Sequence, residues 1–278
     1  MKNLLLTVGT LSASAASLIA QNSVYLPAHR EFDVSTSYVY ENFDEFWAGD
    51  TLMALPDDIT MQTVSIGFEY GITPQIAADL ALGYVNSQFS PAPTLDGLSD
   101  TRFGIRWQFV DESAVEGWWP SLGLRVGGII AGTYETVTTG APNSPGDGAS
   151  GMEASLLFGR ALGETGLTLF GDFGYRVRAE NVPEDLFGSA GLAWEFLDHW
   201  MLTFAYRHDQ ALSGLDIGGP GFDPSRFPET KEIQQLVEFG AGYTFSGGQH
   251  IRAFGAWTLD GRNTGDKTIF GVSLNFPF

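Results

Sequence analysis

His29, His199, His208 and His250 are the side chains best suited to proton transfer near neutral pH, and none of the four stands in a pattern that performs it. His199 and His250 adjoin tight turns, and His29 precedes the first patterned segment. His208 neighbours Asp209, but successive side chains of an extended chain point to opposite faces. No His-x-Ser spacing occurs, no His/Asp/Glu cluster has ligand spacing, and no glycine-rich phosphate loop is present. Cysteine is absent, which excludes disulfides, thiolate metal sites and a lipid-modified amino-terminal cysteine. The reading is therefore of a protein that is not an enzyme, with no cofactor, no metal and no catalytic residue. An enzyme remains the rival class, resting on a cross-strand partner for His208.

Charged residues that could do work recur instead at alternate positions between apolar ones: Glu69, Asp79, Arg102, Arg106, Arg125, Glu153, Asp172, Arg176, Glu195, Arg207, Glu238 and Arg252. If the apolar sets face lipid, these face an enclosed lumen, where an unpaired charge costs several kcal/mol and must be paired or hydrated. Acids and bases occur in similar numbers, so one reading is a charge ladder that packs the interior. The other places a constriction around Arg102, Arg106 and Arg125 that selects solutes by charge. Both stay open at the level of sequence.

The elements that must hold these residues show a period of two. In 101–109, Thr101, Phe103, Ile105, Trp107 and Phe109 alternate with Arg102, Gly104, Arg106 and Gln108. The last stretch sets Phe270, Val272, Leu274, Phe276 and Phe278 against Gly271, Ser273, Asn275 and Pro277. About twelve such segments are predicted. An exposed terminal edge strand is a liability that barrel closure removes. The expected fold is therefore all-β: an antiparallel up-and-down transmembrane β-barrel.

Connections alternate as well. Those at 73–74, 163–166, 198–199 and 247–249 are tight, whereas 43–59, 90–97, 135–150 and 211–231 are long. Short turns on one rim and long loops on the other suit an outer-membrane barrel, with the short rim in the periplasm. The stretch 111–118 is long for that rim. An even strand count returns both chain ends to the short rim. Tyr70, Tyr84, Trp107, Phe109, Trp118, Trp119, Tyr175, Trp194, Phe196, Trp200, Tyr243 and Phe245 gather at segment ends, as in interfacial girdles. The stretches 42–58 and 211–231 hold more apolar side chains than solvated loops need, including Phe43, Phe46, Ile217 and Phe227, and either folds over the mouth or covers the rim.

Net charge is −19, which argues against nucleic acid as a partner. Asp44, Glu45, Asp50, Asp57 and Asp58 read as solvated loop acids. Residues 1–20, with Lys2, an apolar run from Leu4 to Val8 and small residues from Ser12 to Ser17, read as a secretory signal peptide, leaving 21–278 as one barrel domain. No later run is long enough for a membrane helix.

The terminal Phe278, preceded by Phe276 and Leu274, resembles the carboxy-terminal assembly signal of bacterial outer-membrane proteins. That resemblance implies the barrel-assembly machinery as a partner, beside outer-membrane lipid and lipopolysaccharide. Tyr70-Gly71-Ile72-Thr73, followed by Gly97-Leu98-Ser99-Asp100-Thr101-Arg102-Phe103-Gly104-Ile105-Arg106, resembles a family of transporter-like outer-membrane barrels associated with phenol degradation. The chain departs from that family's usual pattern at Pro74-Gln75 and at Ser99. The resemblance implies movement of small solutes, hydrophobic or aromatic ones among them, across the outer membrane. A structural or adhesive barrel with a plugged lumen is the remaining alternative.

Overall fold

A computed structural model describes residues 23–90, 92–136, 143–197 and 199–278. The signal-peptide stretch 1–20 and the turn residue Asp198 lie outside the described residues. Thirteen strands follow in chain order: β1 (Phe32–Ala48), β2 (Thr51–Thr73), β3 (Ile76–Phe89), β4 (Leu95–Leu98), β5 (Thr101–Val110), β6 (Ser121–Ile130), β7 (Gly151–Ala161), β8 (Leu167–Arg178), β9 (Asp185–Phe196), β10 (Trp200–Ala211), β11 (Ile233–Thr244), β12 (His250–Arg262) and β13 (Thr268–Pro277). Each pairs antiparallel with its sequence neighbours, except that β4 and β5 both pair with β3 and share one place in the wall. The sheet is thus a closed barrel of twelve strands.

Closure depends on the end of the chain. β1 pairs with β13 from Asp33↔Pro277 to Asn42↔Thr268. Phe278 N donates to Phe32 O at 2.8 Å and Phe32 N to Phe278 O at 3.1 Å, so the pairing runs through the last residue. The ring of strands then has no edge strand, which a hydrocarbon surrounding demands.

The polarity is the reverse of a soluble protein's. Met152 and Leu156 are 62% and 57% exposed, while Glu153 and Ser155 between them are buried. Phe103, Ile105 and Trp107 likewise face outward, with Gly104 and Arg106 buried on the inner side. Apolar surface of this extent is stable against lipid and costly against water. Aromatic side chains end the outer face at both levels. Near the short-turn rim lie Tyr70, Trp107, Trp194, Trp200 and Tyr243; near the other, Tyr38 and Tyr206 donate hydroxyls to Gln62 and Gln235, and Tyr84 and Tyr175 to Asp96 and Glu184. An apolar ring with a bonded polar tip fits the headgroup level.

The expected long loop at 43–59 is instead strand. β1 and β2 run on as a hairpin to a turn at Gly49-Asp50, where Gly49 adopts φ +60. The alternation inverts there. Up to residue 42 the inward set of β1 is polar (Asp33, Ser35, Ser37, Glu41); beyond it the inward Phe43 and Phe46 are apolar and buried. A strand leaving the membrane has water outside, so its apolar face turns inward. The expected loop 211–231 forms a short bridge between Leu215 and Thr230 and a 3₁₀ turn at Pro224–Glu229. The long turn between β5 and β6 is organised by Glu112, whose carboxylate accepts from Tyr25 Oη (3.0 Å), Arg160 Nη1 (3.1 Å) and Ala161 N.

Candidate functional site: the barrel lumen

Each charged residue at the alternate positions is carried on the inner wall by the strand that turns its neighbours to lipid. Asp33, Glu69 and Asp79 stand side by side on β1, β2 and β3 in direct register. Arg106 on β5 binds Glu69 through Nη2 and lies 3.8 Å from Asp79. Arg125 on β6 forks onto Asp79, with Nη2 at 2.7 Å and Nε at 3.2 Å, and gives Nη1 to Glu153 at 2.5 Å. Glu153 on β7 also meets Arg176 at 3.2 Å and Arg102 at 3.7 Å, and Arg176 continues to Asp185 and Asp209 on β9 and β10. One diagonal ladder therefore climbs the wall from β2 to β10. A second, smaller group joins Arg207, Glu238 and Arg252, with Thr203 accepting from Arg252 at 2.8 Å. Asp172 bonds Ser189, and Glu195 sits near the short-turn end of β9.

The ladder separates two kinds of arginine. Arg106 and Arg125 are 0% and 1% exposed and committed to carboxylates, so they are part of the wall. The glycines beside Arg125 make room for it: a Cβ on Gly104 would meet the guanidinium at 2.9 Å. Arg102, Arg207 and Asp209 keep 34%, 42% and 46% of their side-chain surface open, and Ser35, Ser37, Thr63 and Ser65 on the inner side of β1 and β2 are also partly exposed. These are the polar groups of the inner wall that stay open to solvent. Replacing Arg125 by Met should lower unfolding stability by about 3–5 kcal/mol, because Asp79 and Glu153 lose a buried partner. A urea midpoint unchanged from wild type in micelles would contradict the ladder's structural role.

Segments outside the barrel wall cover both mouths. At the short-turn rim, residues 23–31 cross from β1 to β6 and β7, nearly opposite. Val24 is buried against Gly123 and Gly159, where a Cβ would meet its methyls at 3.2 and 2.7 Å. Ser23 O accepts from Arg106 Nη1 at 3.1 Å, and Tyr25 binds Glu112. Burial, with the Glu112 carboxylate beside it, raises the Tyr25 phenol well above its ordinary range, so it stays a donor.

At the long-loop rim, Phe43, Phe46, Ile59, Met61 and Phe89 form a buried apolar collar inside β1–β3. Ile217 and Phe227, from the loop between β10 and β11, pack on it, with the rings of Phe46 and Phe227 6.2 Å apart. Buried Asn263 holds that loop: its Oδ1 accepts from Gly49 N (2.9 Å) and Ile217 N (3.0 Å), and its Nδ2 donates to Lys231 O (2.8 Å) and Asp216 (3.2 Å). Arg262 forks onto Asp216 and holds its carboxyl below the usual range. Glu232 is accessible to water yet enclosed by the mouth. That enclosure, with Asp147 nearby, pushes its carboxyl up to about 7.

The histidines are dispersed. His250 is buried in the wall beside Thr244, 2.9 Å away; His208 faces outward beside Tyr206; His199 lies by Tyr243; and His29 bonds Ile72 O. Among the described residues no three His, Cys, Asp or Glu side chains are grouped to hold a metal. Asp33, the strap at 23–31 and Asn263 were not among the residues the sequence singled out, whereas the apolar side chains of 43–46 and 217–227 were, with a place over the mouth as one of two readings.

A closed barrel with a lipid-type exterior and a polar interior defines the class: this is a bacterial outer-membrane β-barrel. No family model matches the chain, and no curated protein is significantly similar to it. Solved structures do share its fold. An outer membrane channel from Pseudomonas putida F1 superposes with a TM-score of 0.71 at 14% identity, covering 93% of this chain and 98% of that one. The translocator domain of the autotransporter NalP from Neisseria meningitidis gives 0.52 at 15% identity, covering 96% and 97%.

Proposed function

We propose that this barrel passively conducts small solutes across the outer membrane. The observation that carries the reading is that Ser35, Ser37, Ser65, Arg102 and Arg207 of the inner wall stay partly exposed while Arg106, Arg125, Glu153, Glu238 and Arg252 are buried in ion pairs. Twelve strands stand between the filled eight-stranded barrel and the open sixteen-stranded porin, which supports a narrow passage. Arg102, Arg207 and Asp209 are the side chains that meet the solute. Glu69, Asp79, Arg106, Arg125, Glu153, Asp172, Arg176, Glu238 and Arg252 set the field along the path. The apolar collar of Phe43, Phe46 and Phe227, together with the likeness to the phenol-degradation family, supports small hydrophobic or aromatic solutes as cargo. Phe278, Phe276 and Leu274 act as the assembly signal read by the barrel-assembly machinery, and lipid with lipopolysaccharide surrounds the wall.

Single-channel recording of the refolded protein in a planar bilayer tests this. Resolved steps are expected, with an ion preference that shifts when Arg102 becomes Glu. Silence at all voltages would reassign the molecule to a structural or adhesive barrel.

A further inference from the structure

Arg102 is the inner-wall arginine whose donors the wall does not use. Arg106, Arg125, Arg176, Arg207 and Arg252 each hydrogen-bond a carboxylate. Arg102 has one acidic neighbour, Glu153 Oε2, at 3.7 Å, which is too long for a hydrogen bond. Glu153 is already taken: Oε1 accepts from Arg125 Nη1 at 2.5 Å and Oε2 from Arg176 Nε at 3.2 Å. Register explains why the adjoining strands offer nothing else. The directly paired neighbours of Arg102 are Ala81 on β3 and Ile129 on β6, and neither side chain carries an acceptor. Among the described residues the Arg102 guanidinium therefore makes no hydrogen bond, while 34% of its side chain stays open.

The wall beside it leaves room. Ala81 pairs with Gly67 on β2, and Gly67 with Ser35 on β1, so a row of small residues continues from Arg102. All three are partly exposed, whereas on the next inward row Asp79 and Glu69 are buried and bonded to Arg125 and Arg106. The row spans three strand spacings, about 14 Å, which is a shelf for a body of a few carbons. Asp209, an acid that stays open to the lumen, lies 3.8 Å from Arg176, so its charge is partly offset. A guanidinium presents a planar fork of donors that matches the two oxygens of a carboxylate, and here the fork is unspent. Ser35 adds a hydroxyl at the far end of the shelf.

We propose that Arg102 is the docking point for the carboxylate of a small organic acid, with Ala81, Gly67 and Ser35 as the shelf for its body. This names the cargo class of the passage proposed above and rests on that reading. Arg106 and Arg125 do not share the role, because their donors are spent inside the wall.

Saturation-transfer NMR with pivalate, on the refolded protein in neutral detergent at neutral pH, tests this without a bilayer. Wild type is expected to transfer saturation to the methyl protons of pivalate, and much less to those of its uncharged isostere pivalamide. Arg102→Gln, which breaks no hydrogen bond of the wall, should weaken pivalate binding about tenfold or more, the value of one charged hydrogen bond. Arg102→Lys, with the charge but without the fork, should recover part of it. Arg226→Gln, on the loop between β10 and β11, should leave it unchanged. Equal transfer from wild type and Arg102→Gln, with both migrating as folded barrels, would overturn the proposal; so would no transfer from wild type, or displacement of pivalate by an equal concentration of chloride. Binding by a barrel that conducts nothing upholds the docking point and removes only the passage reading.

Discussion

Replacing Val24 by Ser and Tyr25 by Ala together will open the mouth at the short-turn rim, and single-channel conductance will rise several-fold over wild type. The far end of the strap at 23–31 is anchored by Val24 and Tyr25. Burying Val24 contributes about 1.5 kcal/mol, and the Tyr25 hydroxyl on the Glu112 carboxylate about 1.5–3 kcal/mol. A loss of about 4 kcal/mol moves the ratio of docked to released strap about a thousandfold. Glu112→Gln keeps an acceptor but removes the charge, and should fall between wild type and the double variant. The barrel itself does not depend on the strap, since β1 is closed by β2 and β13. Unchanged step size in a normally folded double variant would mean that the strap does not obstruct the path.

What the sequence made legible follows from what a membrane does to a strand. Hydrocarbon on one side and a wet lumen on the other impose a strict period of two, so Phe103, Ile105 and Trp107 could be placed outward and Arg102 and Arg106 inward without any fold in hand. The pattern does not say which arginine is spent. Arg106 and Arg102 have the same parity, but only the register of β2, β3 and β7 brings Glu69 to one and leaves the other half open. Where the surroundings change, the code changes. At Phe43 the apolar face turns from lipid to the inside of a hairpin standing in water, and a reader expecting lipid-type alternation sees a loop.

Tertiary contacts of single residues leave no such trace. Val24 belongs to no repeat, and its place opposite Gly123 and Gly159 exists only after the barrel has closed. The even sharing of lumen charge was visible as similar counts of acid and base. Which acid meets which base was not, because a count carries no register. Closure thus explains both groups of misses: it brings a segment from before β1 to β7, and it brings the β12–β13 loop to the β1–β2 turn.

That second junction gives the other large effect. Asn263→Ala will undock the loop between β10 and β11 without unfolding the barrel. The side chain satisfies buried N–H groups of Gly49 and Ile217 and donates to Lys231 O, so three segments lose their common partner at once. Each orphaned buried group costs about 1–3 kcal/mol. The residue also adopts φ +51, where Asn is at home and Ala is strained by about 1–2 kcal/mol. The sum exceeds what Ile217 and Phe227 gain on the collar, so the loop should spend most of its time released. Trypsin reports this directly, because Arg226 and Lys231 lie on that loop. Cleavage of wild type should be slow and that of Asn263→Ala faster by about a hundredfold or more, in proportion to the open population. Asn263→Gly removes the same hydrogen bonds but not the backbone freedom, so it should be cut more slowly than Asn263→Ala. If the two variants instead resist trypsin as wild type does, the loop is held by the collar and the Arg262–Asp216 pair, and Asn263 only fills its turn.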